Sequence, residues 1–321
     1  MSDLDLRPRE IVCGSAPSPE PEELLLAARR VYLGKTTEVA RALPDAQIRM
    51  IGAWCFLDHY GPQSVRDSPG MQVWAHPHTG LQTVSWLLEG EVEHRDSLGS
   101  QVMVRPQQLH IMTAGVGIVH SELSLADKPP TLHGVQLWVA LPNSDRETSP
   151  RFESHVELPL LTVPGLTGTV LVGELGGVRS PARSHTPLVG ADLTVEPGVP
   201  IQLAVNPEFE YGIFVVHGDV LVESTTVGVD QLLYLGSQRR SLGLRSDHGG
   251  RAILLGGAPF AEEIVMWWNF VGRSHDEIVA FRTAWERREP RFPPVVDRSE
   301  KVMEAPAMPT VHLRPRPRRA R

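Results

Sequence analysis

The sequence predicts an all-β chain of two tandem domains, on three observations. From Val31 to about Val163, short apolar runs such as "RMIGAWCFLDHY", "TVSWLLEG", "QVMVRP", "HIMTAG" and "LHGVQLWVALP" are punctuated by Gly, Pro, Asn and Asp. That is the spacing of strands in a β-sandwich or barrel. A second series, with "GTVLVGEL", "VPIQLAV", "YGIFVVHGDVLVES", "QLLYLG" and "RAILLGG", fills about Leu166 to Pro259. Third, the strand-turn-strand stretch at Gly90, "WLLEGEV", recurs at Gly218 as "FVVHGDV", an offset of 128 residues.

Each segment follows in order. Residues 1–30 mix acidic residues and prolines ("SAPSPEPEELLLAARR") and are expected to form a flexible arm. Residues 31–163 form the first β-domain and 164–297 the second. Within the latter, "HDEIVAFRTAWERRE" spaces Ile278, Phe281 and Trp285 as one face of a helix near 275–288, with Asp276 and Glu277 in its first turn. Residues 298–321 end in "RPRPRRAR" and are expected to form a basic, flexible tail.

Composition excludes several function classes. The 321 residues carry a net charge of −7, with 31 basic against 38 acidic side chains, so the body offers no electrostatic footprint for direct nucleic-acid binding. The two cysteines, Cys13 and Cys55, cannot form a disulfide framework. The start "MSDLDLRPRE" lacks a secretory pattern, so a cytoplasmic location is expected. No apolar run approaches the ~20 residues of a membrane helix.

The chemistry concentrates in two short motifs. "HPH" places His76 and His78 two residues apart just before a strand-like run, and "VHSE" places His120 and Glu122 at the same spacing. Side chains at i and i+2 of a strand share a face. Two such pairs can therefore aim three imidazoles and one carboxylate at one point. Imidazole suits Fe, Ni, Cu or Zn, and the hard oxygen tilts the set toward Fe(II) or Mn(II). On the 128-residue offset His76, His78, His120 and Glu122 fall on Ala204, Asn206, His248 and Gly250, so one metal per chain is expected. The other histidines, His59, His94, His133 and His155, read as hydrogen-bonded or surface residues, and His110 as a neighbour of the site. Trp86 and Trp138 read as core.

The runs "WCFLDHYGP" (54–62), "HPHTGLQTVSWLLEGEVEHRDSLGS" (76–100), "MTAGVGIVHSE" (112–122), "LHGVQLWVALP" (132–142) and "GGAPFAEEIVMWWNFVGRSHDEI" (256–278) together resemble the pirins, which are two-domain cupins. The resemblance spans most of residues 31–297 in the right order. It implies two tandem cupin, jelly-roll-type β-barrels with a short C-terminal helix. It also implies a metal, usually iron, on His76, His78, His120 and Glu122, and a second cupin without a ligand set. Thr79, Gln82 and His110 depart from the residues pirins often carry there. Glu122 supplies the carboxylate that many cupins take from the position of Gln82, and Thr79 and His110 are expected to alter the pocket mouth and the surroundings of the ligands.

Some pirins oxidise flavonols such as quercetin with O₂. By resemblance this chain is expected to be a non-haem Fe(II) dioxygenase of a small aromatic substrate, with Mn, Ni, Cu or Zn as alternative metals and Glu122 taking the phenolic proton. The alternative is a metal- and redox-dependent regulator that binds a transcription factor or metabolic enzyme. A third reading is a cupin retained as a structural metal protein, which a closed, four-coordinate site with no cavity would favour.

Overall fold

The computed structural model describes residues 22–33, 37–295 and 301–319. Strands come in chain order as β1 (Glu23–Ala27), β2 (Arg29–Leu33), β3 (Thr37–Leu43), β4 (Trp54–Ser64), β5 (Gln72–His78) and β6 (Leu81–Glu89). Next are β7 (Val92–Asp96), β8 (Gln101–Val104), β9 (Leu109–Thr113), β10 (Ile118–Leu123), β11 (Thr131–Ala140) and β12 (Arg151–His155). The second series runs β13 (Leu160–Val163), β14 (Leu166–Val172), β15 (Glu174–Leu175), β16 (Val178–Arg179), β17 (Leu188–Val195) and β18 (Ile201–Ala204). It continues as β19 (Glu210–Val222), β20 (Thr225–Gly228), β21 (Gln231–Leu235), β22 (Ser241–Arg245) and β23 (Gly250–Gly257). A hairpin of β24 (Val265–Trp267) and β25 (Phe270–Gly272) leads into helix α1 (His275–Glu286).

The first β-domain packs a seven-stranded sheet, ordered β12-β9-β6-β11-β4-β3-β2, against a four-stranded sheet, β5-β10-β7-β8. The second is a ten-stranded assembly with the path β1-β21-β19-β23-β17-β14-β13. Strand β6 is buried on both faces along all but its last residue, because one face meets the facing sheet and the other meets the neighbouring domain's core. One hydrophobic cluster runs through both domains. Trp54 is its hinge: fully buried, it donates its indole N–H to the carbonyls of Val189 (3.0 Å) and Gly256 (3.3 Å) in the second domain. Replacing so deeply buried an aromatic by Ala costs about 3–5 kcal/mol. Gly190 makes room for it, since a Cβ there would lie 2.9 Å from the Trp54 ring.

The helix forms where its sequence signals place it. Ser274 is the N-cap, its hydroxyl accepting the Glu277 N–H at 3.2 Å, and Asp276 and Glu277 favour the positive end of the helix dipole. Ile278 is fully buried. The hairpin and helix nonetheless pack on the first domain: Val271 N–H donates to Thr79 O at 3.1 Å, and Phe270 and Ile278 share a cluster with Ala75 and Val119.

Three expectations are corrected. The flexible N-terminal arm fails where it is described: β1 pairs antiparallel with β21, so the first strand among the described residues adds to the second domain's sheet. "ELLLA" has the apolar pattern of an edge strand, and its partner lies about 200 residues away, beyond local reading. Residues 1–21 lie outside the described residues. The tail, too, is packed rather than flexible: Arg49 and Met50 N–H both donate to the Arg318 carbonyl (2.7 and 3.1 Å), and Arg316 exchanges backbone hydrogen bonds with Ile264. Residues 296–300 and 320–321 lie outside the described residues. The domain boundary falls between β12 and β13, since β13 already pairs with β14. No helix is long and apolar enough to cross a membrane among the described residues.

Candidate metal centre

β5 is the edge strand of its sheet, and this explains "HPH". Proline cannot donate to a ladder and is tolerated at an edge. Pro77 therefore sits between two histidines on an edge strand, where it is tolerated. Gly80 then turns the chain back into β6 with φ +67°; a Cβ there would meet the Val271 carbonyl at 2.2 Å.

Strand pairing brings the second motif across. His120 on β10 lies directly opposite His76 on β5, and Ile118 opposite His78. The Nε2 atoms of His76 and His78 are 3.1 Å apart, as are those of His78 and His120. All three rings are buried. His76 Nδ1–H donates to the Trp74 carbonyl (2.8 Å) and His78 Nδ1–H to the Asn269 carbonyl (3.0 Å), because a carbonyl can only accept. Each neutral ring is thereby fixed with its Nε2 lone pair turned inward.

Lone pairs at 3.1 Å repel unless a cation sits among them. A proton is a poor candidate. Burial pushes His76 down to about 4, and burial together with the neighbouring imidazoles pushes His78 and His120 well below the ordinary histidine value. A divalent ion fits, since imidazole nitrogens spaced in this way can each reach a common point about 2.1 Å away. His76, His78 and His120 are thus the residues that would hold it.

Glu122 stands apart from the other three. The β5–β10 ladder slips between His120 and Glu122, and the carboxylate groups with His94 and His120 rather than with the His76–His78 pair. Ser85 Oγ–H donates to it at 3.3 Å. Burial raises its pKa above the usual carboxylate value, against a lowering by His94 and by the Ser85 hydrogen bond. His94, read from sequence as bland, lies opposite Glu122 across the β7–β10 ladder and is oriented by Asp96 at 3.2 Å. The signal was present: "HRD" is a third i, i+2 pair of ligand-type residues.

The three departing residues lie elsewhere. Gln82 is buried and donates to Thr113 Oγ1 at 2.9 Å. Neither Thr79 nor His110 lines the cavity, which corrects the expectation that they shape its mouth. His110 adjoins Phe152, which stacks on His94 with ring centres 4.5 Å apart.

A cavity of about 760 Å³ opens on His76, His78, His120 and Glu122. Its apolar wall includes Phe56 and Trp138, stacked 4.0 Å apart, and Trp138 meets His78 edge-on at 5.1 Å. Trp138, expected in the core, is thus also a pocket residue, whereas Trp86 is core and donates to Asp192 at 2.8 Å. His59 and His133 are buried and bonded to one another at 2.8 Å, in keeping with their reading. A second cavity, of about 750 Å³ beside Cys55, holds no cluster of ligand groups among the described residues; burial pushes the Cys55 thiol up to about 12.

In the second domain β18 and β22 pair as β5 and β10 do, but the constant offset does not survive. Ala204, the counterpart of His76, faces Ser241, so Ser241 rather than His248 answers to His120. His248 sits on an exposed bend after β22. Among the described residues, both groups able to hold a metal lie in the first domain.

Residues 36–139 match the family model described as Pirin, and residues 190–292 that of the Pirin C-terminal cupin domain. A Pseudomonas aeruginosa protein named "Putative quercetin 2,3-dioxygenase" is 47% identical over 277 residues, covering 85% of this chain and 88% of its own. A pirin-like protein of Caulobacter vibrioides is 34% identical, covering 84% and 95%. A crystal structure of quercetin 2,3-dioxygenase from Acinetobacter baumannii superposes with a TM-score of 0.87 at 40% identity, covering 90% of this chain and 96% of that one.

Proposed function

The chain belongs to the pirin family of two-domain cupins, and from that premise we propose that it is a metal-dependent dioxygenase of flavonol-type, quercetin-like substrates, with Fe(II) as its working metal. The observation that carries this reading is the aromatic-walled cavity opening on three inward-facing imidazole nitrogens. Its volume lies within the range of small-molecule sites. A regulator working through its surface has no need of such a cavity. The names of the Pseudomonas relative and the Acinetobacter structure point the same way.

His76, His78 and His120 would hold the metal in this reading, and Glu122, which shares His120 with His94 rather than grouping with His76 and His78, is the proposed fourth ligand. When bound, the ion supplies Lewis acidity and open positions for a substrate oxygen and O₂. The chain's own residues do the rest. Trp138, backed by Phe56 whose other face Arg41 covers, offers an aromatic surface in the cavity wall against which a flat ring system can pack. Glu122, its proton affinity raised by burial, accepts the proton of an acidic ring hydroxyl. The single Ser85 hydroxyl proton is shared between the Gln136 Oε1 (2.9 Å) and the Glu122 carboxylate (3.3 Å), tying the two side chains together.

The test is anaerobic loading with Fe(II), metal analysis, then O₂ uptake against a flavonol panel. Uptake that tracks metal content and flavonol loss supports the reading. Full metal occupancy with neither flavonol binding nor O₂ uptake overturns it.

A further inference from the structure

The metal pocket has a wall supplied from the far end of the sequence. The outer edge of β5 is taken by the tail: Val302 forms a parallel bridge with Ala75, and the Met303 N–H donates to the Ala75 carbonyl at 2.8 Å. Ala75 immediately precedes His76, so this strap is held in register with the strand carrying two of the metal ligands. It is fixed from behind as well. Trp285 Nε1–H donates to the Met303 carbonyl at 3.0 Å, and Arg282 Nε–H to the Pro306 carbonyl at 2.7 Å. Lys301 Nζ lies 4.7 Å from the centre of the Trp74 ring. Lys301, Val302, Met303 and Glu304 all line the cavity.

We propose that the strap Lys301–Glu304 is the substrate-selecting wall of the metal pocket, sizing it for a flat, multi-ring aromatic ligand with an anionic oxygen substituent. Met303 bounds the cavity from the strap while Phe56 and Trp138 bound it from β4 and β11; a thioether can adapt to a ring surface that a stiffer side chain would not fit. The Lys301 ammonium, over the Trp74 face at the rim, places positive charge where such an oxygen enters. Since Val302 and Met303 are attached through backbone groups, the Met303 side chain can differ without loosening the strap. The ligand class rests on the dioxygenase reading, but the wall itself does not.

The test uses the full-length, metal-loaded protein, with quercetin and the smaller catechol as probes and dipicolinate as a metal-stripping agent. Unfolding temperature and metal content are matched to the parent first. Met303→Ala should weaken quercetin binding about tenfold, the scale of losing part of an apolar contact, while kcat and catechol binding change little. Met303→Leu, close in volume, should restore it. Lys301→Glu should raise the quercetin KM, and less so at high salt. Met303→Pro deletes the N–H held by Ala75 and should speed dipicolinate removal of the metal several-fold. Should Met303→Pro fail to fold, the selectivity of Met303→Ala and Lys301→Glu decides alone. Variants that keep both the parent's quercetin-to-catechol discrimination and its stripping rate overturn the proposal. If the parent neither binds nor oxidises quercetin, the dioxygenase reading falls, and the stripping rate then judges the wall: faster in Met303→Pro supports it, unchanged overturns it.

Discussion

His78 and His120 face each other Nε2 to Nε2 at 3.1 Å, and the Nδ1–H of His78 is committed to the Asn269 carbonyl. That bond keeps the His78 ring from relieving the contact by turning, and a cation between the two Nε2 atoms would relieve it. His78→Ala should lose metal and activity together, and excess Fe(II) should not restore either. Metal analysis of the parent should give one equivalent per chain. A second equivalent that survives His76→Ala would place another site in the chain.

Glu122 tests the chemistry rather than the binding. Glu122→Gln keeps the shape of the side chain and removes the base, so metal binding should weaken but recover in excess Fe(II). The reloaded variant should remain about a hundredfold slow on any flavonol the parent oxidises, since general-base catalysis is worth ~10²–10⁴. Near-parent turnover after reloading would show that Glu122 is no more than a neighbour of the metal.

Acid should unfold the metal-free protein in a defined window. Burial, aided by His94 and His155, pushes His110 down to about 4, and burial, aided by His59, Arg251 and His217, does the same to His133. The folded protein keeps both rings neutral, while the unfolded chain takes up protons below about 6.5. The unfolded state therefore binds more protons between pH 6.5 and 4. Stability is full above that window and falls as pH drops through it. Urea midpoints at pH 7.5, 6 and 5 should decline in order, and His110→Gln should make the decline shallower. An unchanged slope in that variant would mean His110 is already charged in the fold.

The two domains are latched through Asp230, whose carboxylate accepts from His59 Nδ1–H and from Arg30 Nη2–H, both at 2.6 Å. It sits at φ +62°, a conformation Asn tolerates. Asp230→Asn should thus cost only the charge-assisted bonds, about 1.5–3 kcal/mol. Chemical denaturation measures it, and a cost indistinguishable from zero would mean the latch contributes nothing.

What the sequence disclosed and what it concealed divide along contact range. His76, His78 and His120 were legible because a period of two on a strand is a local property, and the edge position of β5 explains the proline between them. His94 was hidden by weighing it singly, although Asp96 two residues on marks the same face of β7. Gly90 and Gly218 share a positive φ, but Gly90 breaks the chain between β6 and β7 while Gly218 lies inside the bulged strand β19, and seven residues of slippage separate Ser241, the structural partner of Ala204, from His248, which the offset had selected. β1 and the strap at Val302 escaped entirely. Each adds to a sheet edge whose availability depends on the assembled fold.

The packed tail carries the last prediction. Glu210 is buried at the domain interface, where its carboxylate accepts the Gly52 N–H (2.7 Å) and the Tyr234 O–H (2.8 Å) and pairs with the Arg318 guanidinium. Removing one partner of a buried pair leaves a charge without its counter-charge, which costs about 3–5 kcal/mol when both are fully buried. Arg318 is about a quarter exposed, at 28%, so solvent screens the loss and Arg318→Ala should cost about 1–3 kcal/mol. Arg314→Ala, an exposed site four residues earlier, should stay within about 0.5 kcal/mol. Adding Glu210→Gln to Arg318→Ala should recover part of the deficit, because the stranded charge is gone. Denaturant melts of the parent, Arg318→Ala, Glu210→Gln and the double variant close the cycle, with Arg314→Ala as the control, and equal costs for Arg318→Ala and Arg314→Ala would show that the tail does not dock on Glu210.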